Sequence, residues 1–338
     1  MIAARTLRAL ALLLVGACAP RIAAMGPPEA APGLLDDRIV QPDGAVLPLK
    51  RWLPAGEPKA VILALHGFND YSNAFAAPAE SWAKSGIATY AYDQRGFGAA
   101  TNRGLWPGTE TLVEDADTAA RLVAARHPGV PLFVMGESMG GAVILAAVAD
   151  GRLSGADGVI LSAPAVRGGE TIGPISRGAL WLAAHLVPWL AERPPSNLGY
   201  HPSDNIPMLR ALGADPLVIK ETRVDAFYGL INLMDDALAA APLFDRAALI
   251  LIGAQDNLIP GKATDLMLAR LPRAGAAERR VAVYEKGYHM LLRDLQGPVV
   301  HQDVAHWVLT RQTDPLAALP SGADRQGRAE LADVPPQP

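Results

Sequence analysis

The 338-residue sequence predicts a doubly wound α/β sheet, mostly parallel, interrupted by a helical insertion. Short, nearly continuous apolar runs alternate with stretches of helical periodicity, the pattern of strands covered on both faces by helices. The alternation stops near Arg167 and resumes near Asp245, so about 80 residues form an insertion with helical spacing of its own. A Gly-x-Ser-x-Gly sequence, Gly136 to Gly140, falls at a strand-to-helix junction, where a sheet of this kind presents functional groups.

The chain opens with Arg5 and Arg8 and no acid, followed by an uncharged apolar stretch from Ala9 to Ala17. This is the charged and apolar plan of a secretory signal, residues 1–17, too short to span a bilayer stably. Val15-Gly16-Ala17-Cys18 resembles a bacterial lipobox, which implies cleavage before Cys18 and lipidation of its thiol. An ordinary signal, or an apolar helix with a chance cysteine, is the alternative. Residues 18–35, rich in Ala and Pro, then read as a tether.

The body of the domain is expected at residues 36–166 and 245–312. "RIV" (38–40) and "AVLPLKRW" (45–52) suggest an antiparallel lead-in, with Pro48 favouring an edge. "AVILAL" (60–65), "IATYAY" (87–92), "PLFVM" (131–135), "GVILS" (158–162), "ALILI" (248–252) and "RVAVY" (280–284) are the expected strands. Residues 110–127 carry apolar positions at helical spacing. In the insertion, residues 167–244, "GALWLAAHLVPWL" (178–190) aligns Trp181, Leu182, His185, Leu186, Trp189 and Leu190 largely on one face. Phe227, Leu230, Ile231 and Met234 follow at similar spacing. Packing against the sheet is the simpler reading of most of these residues; a second duty is to line an apolar channel. Pro188, Pro194 and Pro195 break the insertion into short pieces. Residues 313–338, ending "ADVPPQP", read as a disordered tail.

At its junction Ser138 is forced into a tight turn, and glycines on either side remove Cβ atoms that would clash. Its hydroxyl then stands beside a helix N-terminus, which favours developing negative charge. A serine nucleophile needs a base, and the base an orienting acid. Asp256 lies just beyond one late strand and His289 just beyond the next. Asp265 and Asp294 fall on expected helices, and His127, His185, His201, His301 and His306 follow no strand of the sheet. The oxyanion is assigned to the backbone N–H groups of Phe68, on the loop after "AVILAL", and of Met139. His66 reads as a structural histidine and Arg95 as a structural ion-pair residue.

Composition narrows the remaining classes. A net charge of −4 argues against a dedicated nucleic-acid binder. With one cysteine the chain builds neither an intramolecular disulfide nor a thiolate zinc site. No cofactor or metal motif is present.

Together "HGF" (66–68), "DQRGFG" (93–98), "GESMGG" (136–141), "GAQDNLIP" (253–260) and "GYHMLL" (287–292) resemble the serine α/β-hydrolases of the monoglyceride lipase and lysophospholipase group, serine aminopeptidase-like proteins included. The resemblance covers about residues 36–312. It implies the α/β-hydrolase fold, a helical lid at 167–244 and a Ser138-Asp256-His289 triad. It departs from the family pattern twice. Glu137 stands where the elbow usually has histidine, and Phe97 where the Arg-Gly turn usually has histidine. The implied activity is cleavage of monoacylglycerol or lysophospholipid-type acyl esters, with a hydrophobic substrate and no cofactor. An acyltransferase or aminopeptidase on the same triad, and a catalytically silent surface lipoprotein, are the competing classes. The expected location is the bacterial cell envelope, lipid-anchored, at the outer membrane facing the periplasm.

Overall fold

A computed structural model describes residues 19–167, 172–193, 199–273, 279–314 and 317–325. The strands are β1 (Gly33–Leu34), β2 (Arg38–Val40), β3 (Val46–Trp52), β4 (Ala60–Leu65), β5 (Ile87–Tyr92), β6 (Leu132–Glu137), β7 (Gly158–Ser162), β8 (Ala191–Glu192), β9 (Thr222–Arg223), β10 (Ala248–Gly253), β11 (Arg279–Tyr284) and β12 (Asp324–Arg325). The α-helices are α1 (Ala76–Lys84), α2 (Thr109–Arg126), α3 (Met139–Ala149), α4 (Pro174–Leu186), α5 (Ile206–Ala214), α6 (Val224–Ala240), α7 (Gly261–Arg270) and α8 (Gly297–Thr310).

All but β8 and β9 form one sheet in the order β1-β2-β3-β5-β4-β6-β7-β10-β11-β12. Its centre, β5-β4-β6-β7-β10-β11, is parallel throughout. The central strands are apolar on both faces because both faces are covered. Val61, Leu63 and Leu65 of β4 enter one core with residues of α2, α3 and α6. Ile62 and Ala64 enter the other, with Trp82 of α1 and Val304 and Trp307 of α8. The chain leaves β4 for β5 on one side and returns past it to β6 on the other, so strand direction of travel reverses at β4. The carboxyl ends of strands beside such a reversal form the crevice where open α/β sheets bind ligands.

Four expectations are corrected. Pro48 is not on an edge strand: β3 lies between β2 and β5. The ladder passes the proline because its carbonyl accepts from Asp93 N at 2.8 Å and Leu49 N reaches Asp37 O at 2.8 Å. Residues 19–35 do not hang free as a tether. Ile22 bridges Trp106, Ala23 N donates to Trp106 O at 2.8 Å, and Met25 N to Thr111 Oγ1 at 3.0 Å. The tail is not disordered from residue 313. Leu319 is buried, Val283 N donates to Ala323 O, and β12 pairs antiparallel with β11, satisfying that strand's open edge. Asp294 lies in the turn before α8, not on a helix.

The insertion holds α4, α5, α6 and the small β8–β9 pair. Helix α6 packs on α3, and there Leu230, Ile231 and Met234 are buried as expected, while Phe227 is exposed. Helix α4 does the opposite: Trp181 and Leu182 are 51% exposed and Leu186 55%. Trp189 and Leu190 are exposed beside them. Pro194, Pro195 and Cys18 lie outside the described residues. Among the described residues no helix is long and apolar enough to cross a membrane.

Candidate active site

Ser138 sits between β6 and α3 at φ 53° and ψ −112°, a left-handed conformation that costs a non-glycine residue on the order of 1–3 kcal/mol. The surroundings enforce it. Ser138 N donates to Ser162 O at 2.9 Å, and Ser138 O accepts from Ala142 N and Ala165 N. A Cβ on Gly136 would lie 2.3 Å from Gly140 C, and one on Gly140 would lie 2.2 Å from Leu65 O. Glycine is required at both because the turn closes on itself and on β4.

The loop leaving β4 runs alongside. A Cβ on Gly67 would stand 3.5 Å from Ser138 Cβ, which puts the Phe68 turn next to the elbow. Its course is set by His66. The ring Nε2 accepts from Gln94 N at 2.9 Å, so Nδ1 carries the proton and donates to Gly67 O at 2.8 Å. Burial holds the His66 pKa below its ordinary value, and the ring stays neutral and structural. Phe97 packs edge-on against both His66 and Phe68. Met139 is the first residue of α3, ahead of the first intrahelical bond, so helix geometry leaves its N–H without an intrahelical acceptor. Arg95 pairs with Asp43 and Asp115, all three side chains buried, as a structural ion-pair residue.

Asp256 and His289 meet at the ends of β10 and β11. His289 Nδ1 lies 2.8 Å from Asp256 Oδ2, and Asp256 Oδ1 accepts from Leu258 N and Ile259 N. The two loops approach closely: a Cβ on Gly253 would lie 2.4 Å from Tyr288 O. With Nδ1 turned to the carboxylate, Nε2 is the nitrogen left to face a reacting group. Burial pulls the His289 pKa down, but the charge and hydrogen bond of Asp256, with Glu137, carry it above the ordinary histidine value.

Two residues that sequence reading missed complete the surroundings. Arg293 reaches Asp70 at 2.7 Å and Glu137 at 3.1 Å. Arg293 and Asp70, the two missed residues, line a cavity of about 260 Å³ between α1 and α5, walled by Tyr71, Asn205, Met208, Leu212 and Asp215 among others. Polar and apolar side chains alternate around this cavity. Among the described residues, no group of His, Cys, Asp and Glu is arranged to hold a metal ion.

A model of the hydrolase family described as serine aminopeptidase, S33, matches residues 56–296, which contain Phe68, Ser138, Asp256 and His289. This chain belongs to the S33 family. Among its relatives, a monoacylglycerol lipase of Mycolicibacterium smegmatis is 28% identical over 268 residues, spanning 77% of this chain and 91% of that protein. The monoglyceride lipase of Homo sapiens is 27% identical over 294 residues, spanning 83% and 93%. The fold is shared with a soluble variant of monoglyceride lipase from Saccharomyces cerevisiae, at a TM-score of 0.67 and 19% identity, covering 86% of this chain and 97% of that one.

Proposed function

We propose that this chain hydrolyses carboxylic esters of the monoacylglycerol type through an acyl-enzyme on Ser138. The observation that carries the reading is the placement, at the carboxyl ends of strands of one parallel sheet, of a strained serine and of a histidine bonded to an aspartate. The monoacylglycerol lipases among the relatives support the substrate class.

In the proposed sequence His289 Nε2 takes the Ser138 proton as Oγ attacks the carbonyl carbon. Asp256 holds the ring in its tautomer and stabilises the imidazolium. The N–H groups of Phe68 and Met139 bind the oxyanion. His289 then protonates the leaving alcohol, and a water activated by the same ring releases the fatty acid. An aminopeptidase would need a carboxylate free to hold a substrate amine. Glu137 is committed to Arg293, and Glu192 lies exposed in β8, so the ester reading stands ahead.

The test is a panel of monoacylglycerols and p-nitrophenyl esters against aminoacyl nitroanilides, with Ser138→Ala as control. Esters are expected to turn over and nitroanilides not. Ser138→Ala should lose roughly 10³-fold or more in kcat, together with fluorophosphonate labelling. Nitroanilide cleavage without ester cleavage would reject the reading.

The location belongs to the same proposal. Cys18, lipidated after removal of residues 1–17, would anchor the domain at the bacterial envelope, at the outer membrane facing the periplasm. The basic start, short apolar stretch and small residues before Cys18 support it. Mass spectrometry of membrane-extracted protein should find Cys18 acylated, and Cys18→Ser should release the protein.

A further inference from the structure

Arg293 has no part in the steps above, yet its side chain meets a residue on each of two loops that carry them. It lies four residues after His289, with its side chain only 10% exposed. Nη1 reaches Asp70 Oδ2 at 2.7 Å and Nη2 reaches Glu137 Oε2 at 3.1 Å. Glu137 is the residue before the nucleophile, and Asp70 is two residues past Phe68. One cation therefore joins the loops that carry the nucleophile, the oxyanion donor and the base. The arginine is itself fixed. Its N–H donates to Met290 O, and the neighbouring Asp294 accepts from Tyr288 N and Ser203 Oγ. Its carbonyl accepts from Asn205 Nδ2, while Asn205 Oδ1 caps α5 by accepting from Met208 N. The insertion hangs on the same residue.

We propose that Arg293 is a positioning residue that clamps the elbow, the oxyanion loop and the histidine loop in one register through Glu137 and Asp70. The proposal rests on the serine-hydrolase reading. It also accounts for the departure of Glu137 from the family elbow, because a buried carboxylate there needs a buried cation, and Arg293 is the one that meets it. Removing the cation leaves two neighbouring buried carboxylates without their shared counter-charge, which drives them apart. That moves Phe68 and Ser138 relative to His289, and a displacement of about 1 Å at such a site costs on the order of 100-fold in rate.

The clamp also sets the charge around the base. His289 faces Asp256 from the β10 loop, Glu137 from the end of β6, and Arg293 and Asp294 from its own loop; Asp70 faces Arg293 from the loop after β4. Glu137 favours the imidazolium and Arg293 disfavours it. Loss of either should therefore displace the acid limb of activity, in opposite directions.

The experiment measures the fluorophosphonate labelling rate of Ser138 and kcat/KM for p-nitrophenyl butyrate from pH 5 to 9, on the purified chain. The variants are Glu137→Gln, Arg293→Met, Arg293→Lys and the Glu137→Gln/Arg293→Met double, each normalised to titrated active sites. Glu137→Gln should move the acid limb to lower pH. Arg293→Met should move it to higher pH and lower kcat roughly 10- to 100-fold, with KM changed less. The double variant should recover a large part of that loss, and Arg293→Lys should fall between. A wild-type pH profile for Glu137→Gln overturns the proposal. So does an Arg293→Met protein that melts earlier but labels at the wild-type rate per site, since that is a structural ion pair only. If Arg293→Met does not fold, Glu137→Gln and Asp70→Asn decide by the same profile. The labelling rate needs no substrate assignment, so a chain that labels rapidly but cleaves no ester rejects the substrate class and leaves the clamp judged on its own readout.

Discussion

At the scale of single residues, the charge around His289 makes the pH response specific. The base must be neutral to accept the Ser138 proton, so activity falls as pH drops through the His289 pKa. Burial alone would push that pKa below 6.5, but Asp256 and Glu137 overcome it and raise it. The half-activity point of kcat/KM on the acid side should therefore lie above pH 6.5, and a midpoint below that value would show the carboxylates failing to reach the ring. Ser138, Asp256 and His289 are legible in sequence because each follows an apolar run that ends in a turn, and their order along the chain fits the chemistry. Arg293 is not legible that way, because its meaning lies in two carboxylates far away in sequence. A signal was nevertheless present. Glu137 stands in an otherwise apolar and glycine-rich stretch, which demands a buried cation, and an arginine lies one helical turn past His289.

At the scale of elements, the strands read from sequence lie within a residue or two of their expected places because their apolar runs are bounded by turn residues, whereas the two-residue strands β1, β8, β9 and β12 have no such run and are not legible. β4 and β5 coincide with "AVILAL" and "IATYAY". Burial of the insertion is less legible, because an amphipathic stretch shows only that one face is apolar, not what covers it. The apolar side of α6 meets α3, while that of α4 is turned outward. Glycines separate the two cases further. A Cβ on Gly229 of α6 would lie 2.4 Å from Trp106, and the Trp106 ring stands 6.4 Å from that of Phe68. Gly178 of α4 has nothing within 4 Å of its Cβ position. Gly229→Ala should therefore cost about 1–3 kcal/mol by overpacking. Because Trp106 backs Phe68, the same variant should also lower kcat. Gly178→Ala should stabilise by about 0.5–1 kcal/mol, the ordinary helix preference for alanine. Urea midpoints for both variants check the pair, and equal effects would mean that the Trp106 contact has no bearing on α6.

At the scale of the whole molecule, the segment read as a tether behaves as a strap. Its Ala and Pro composition suggests a solvated linker, but the partners that hold it are distant in sequence. Arg21 N donates to Asp225 Oδ2 at 3.3 Å, Gly26 N to Asp43 Oδ2 at 3.1 Å, and Glu29 N and Ala30 N to Pro42 O. Asp225 begins the last helix of the insertion, and its own N–H donates to Pro188 O, next to the exposed Trp189 and Leu190. The strap therefore ends against the outward apolar face of the insertion. Cys18 is three residues before Arg21, a reach of roughly 10 Å in extended chain. On the proposal that Cys18 is lipidated, the anchor holds that face close to the bilayer instead of letting the domain turn freely. Removing residues 19–31 should lower Tm by about 5 °C, whereas loss of a free linker would leave it unchanged. Inserting twenty Gly and Ser residues between Cys18 and Ala19 should leave Tm and soluble-ester turnover intact, because the strap is preserved. The same insertion should slow hydrolysis of monoacylglycerol presented in the vesicles that hold the enzyme, since the spacer frees the domain's orientation. Equal rates on vesicles with and without the spacer would show that the strap stabilises the fold without orienting it.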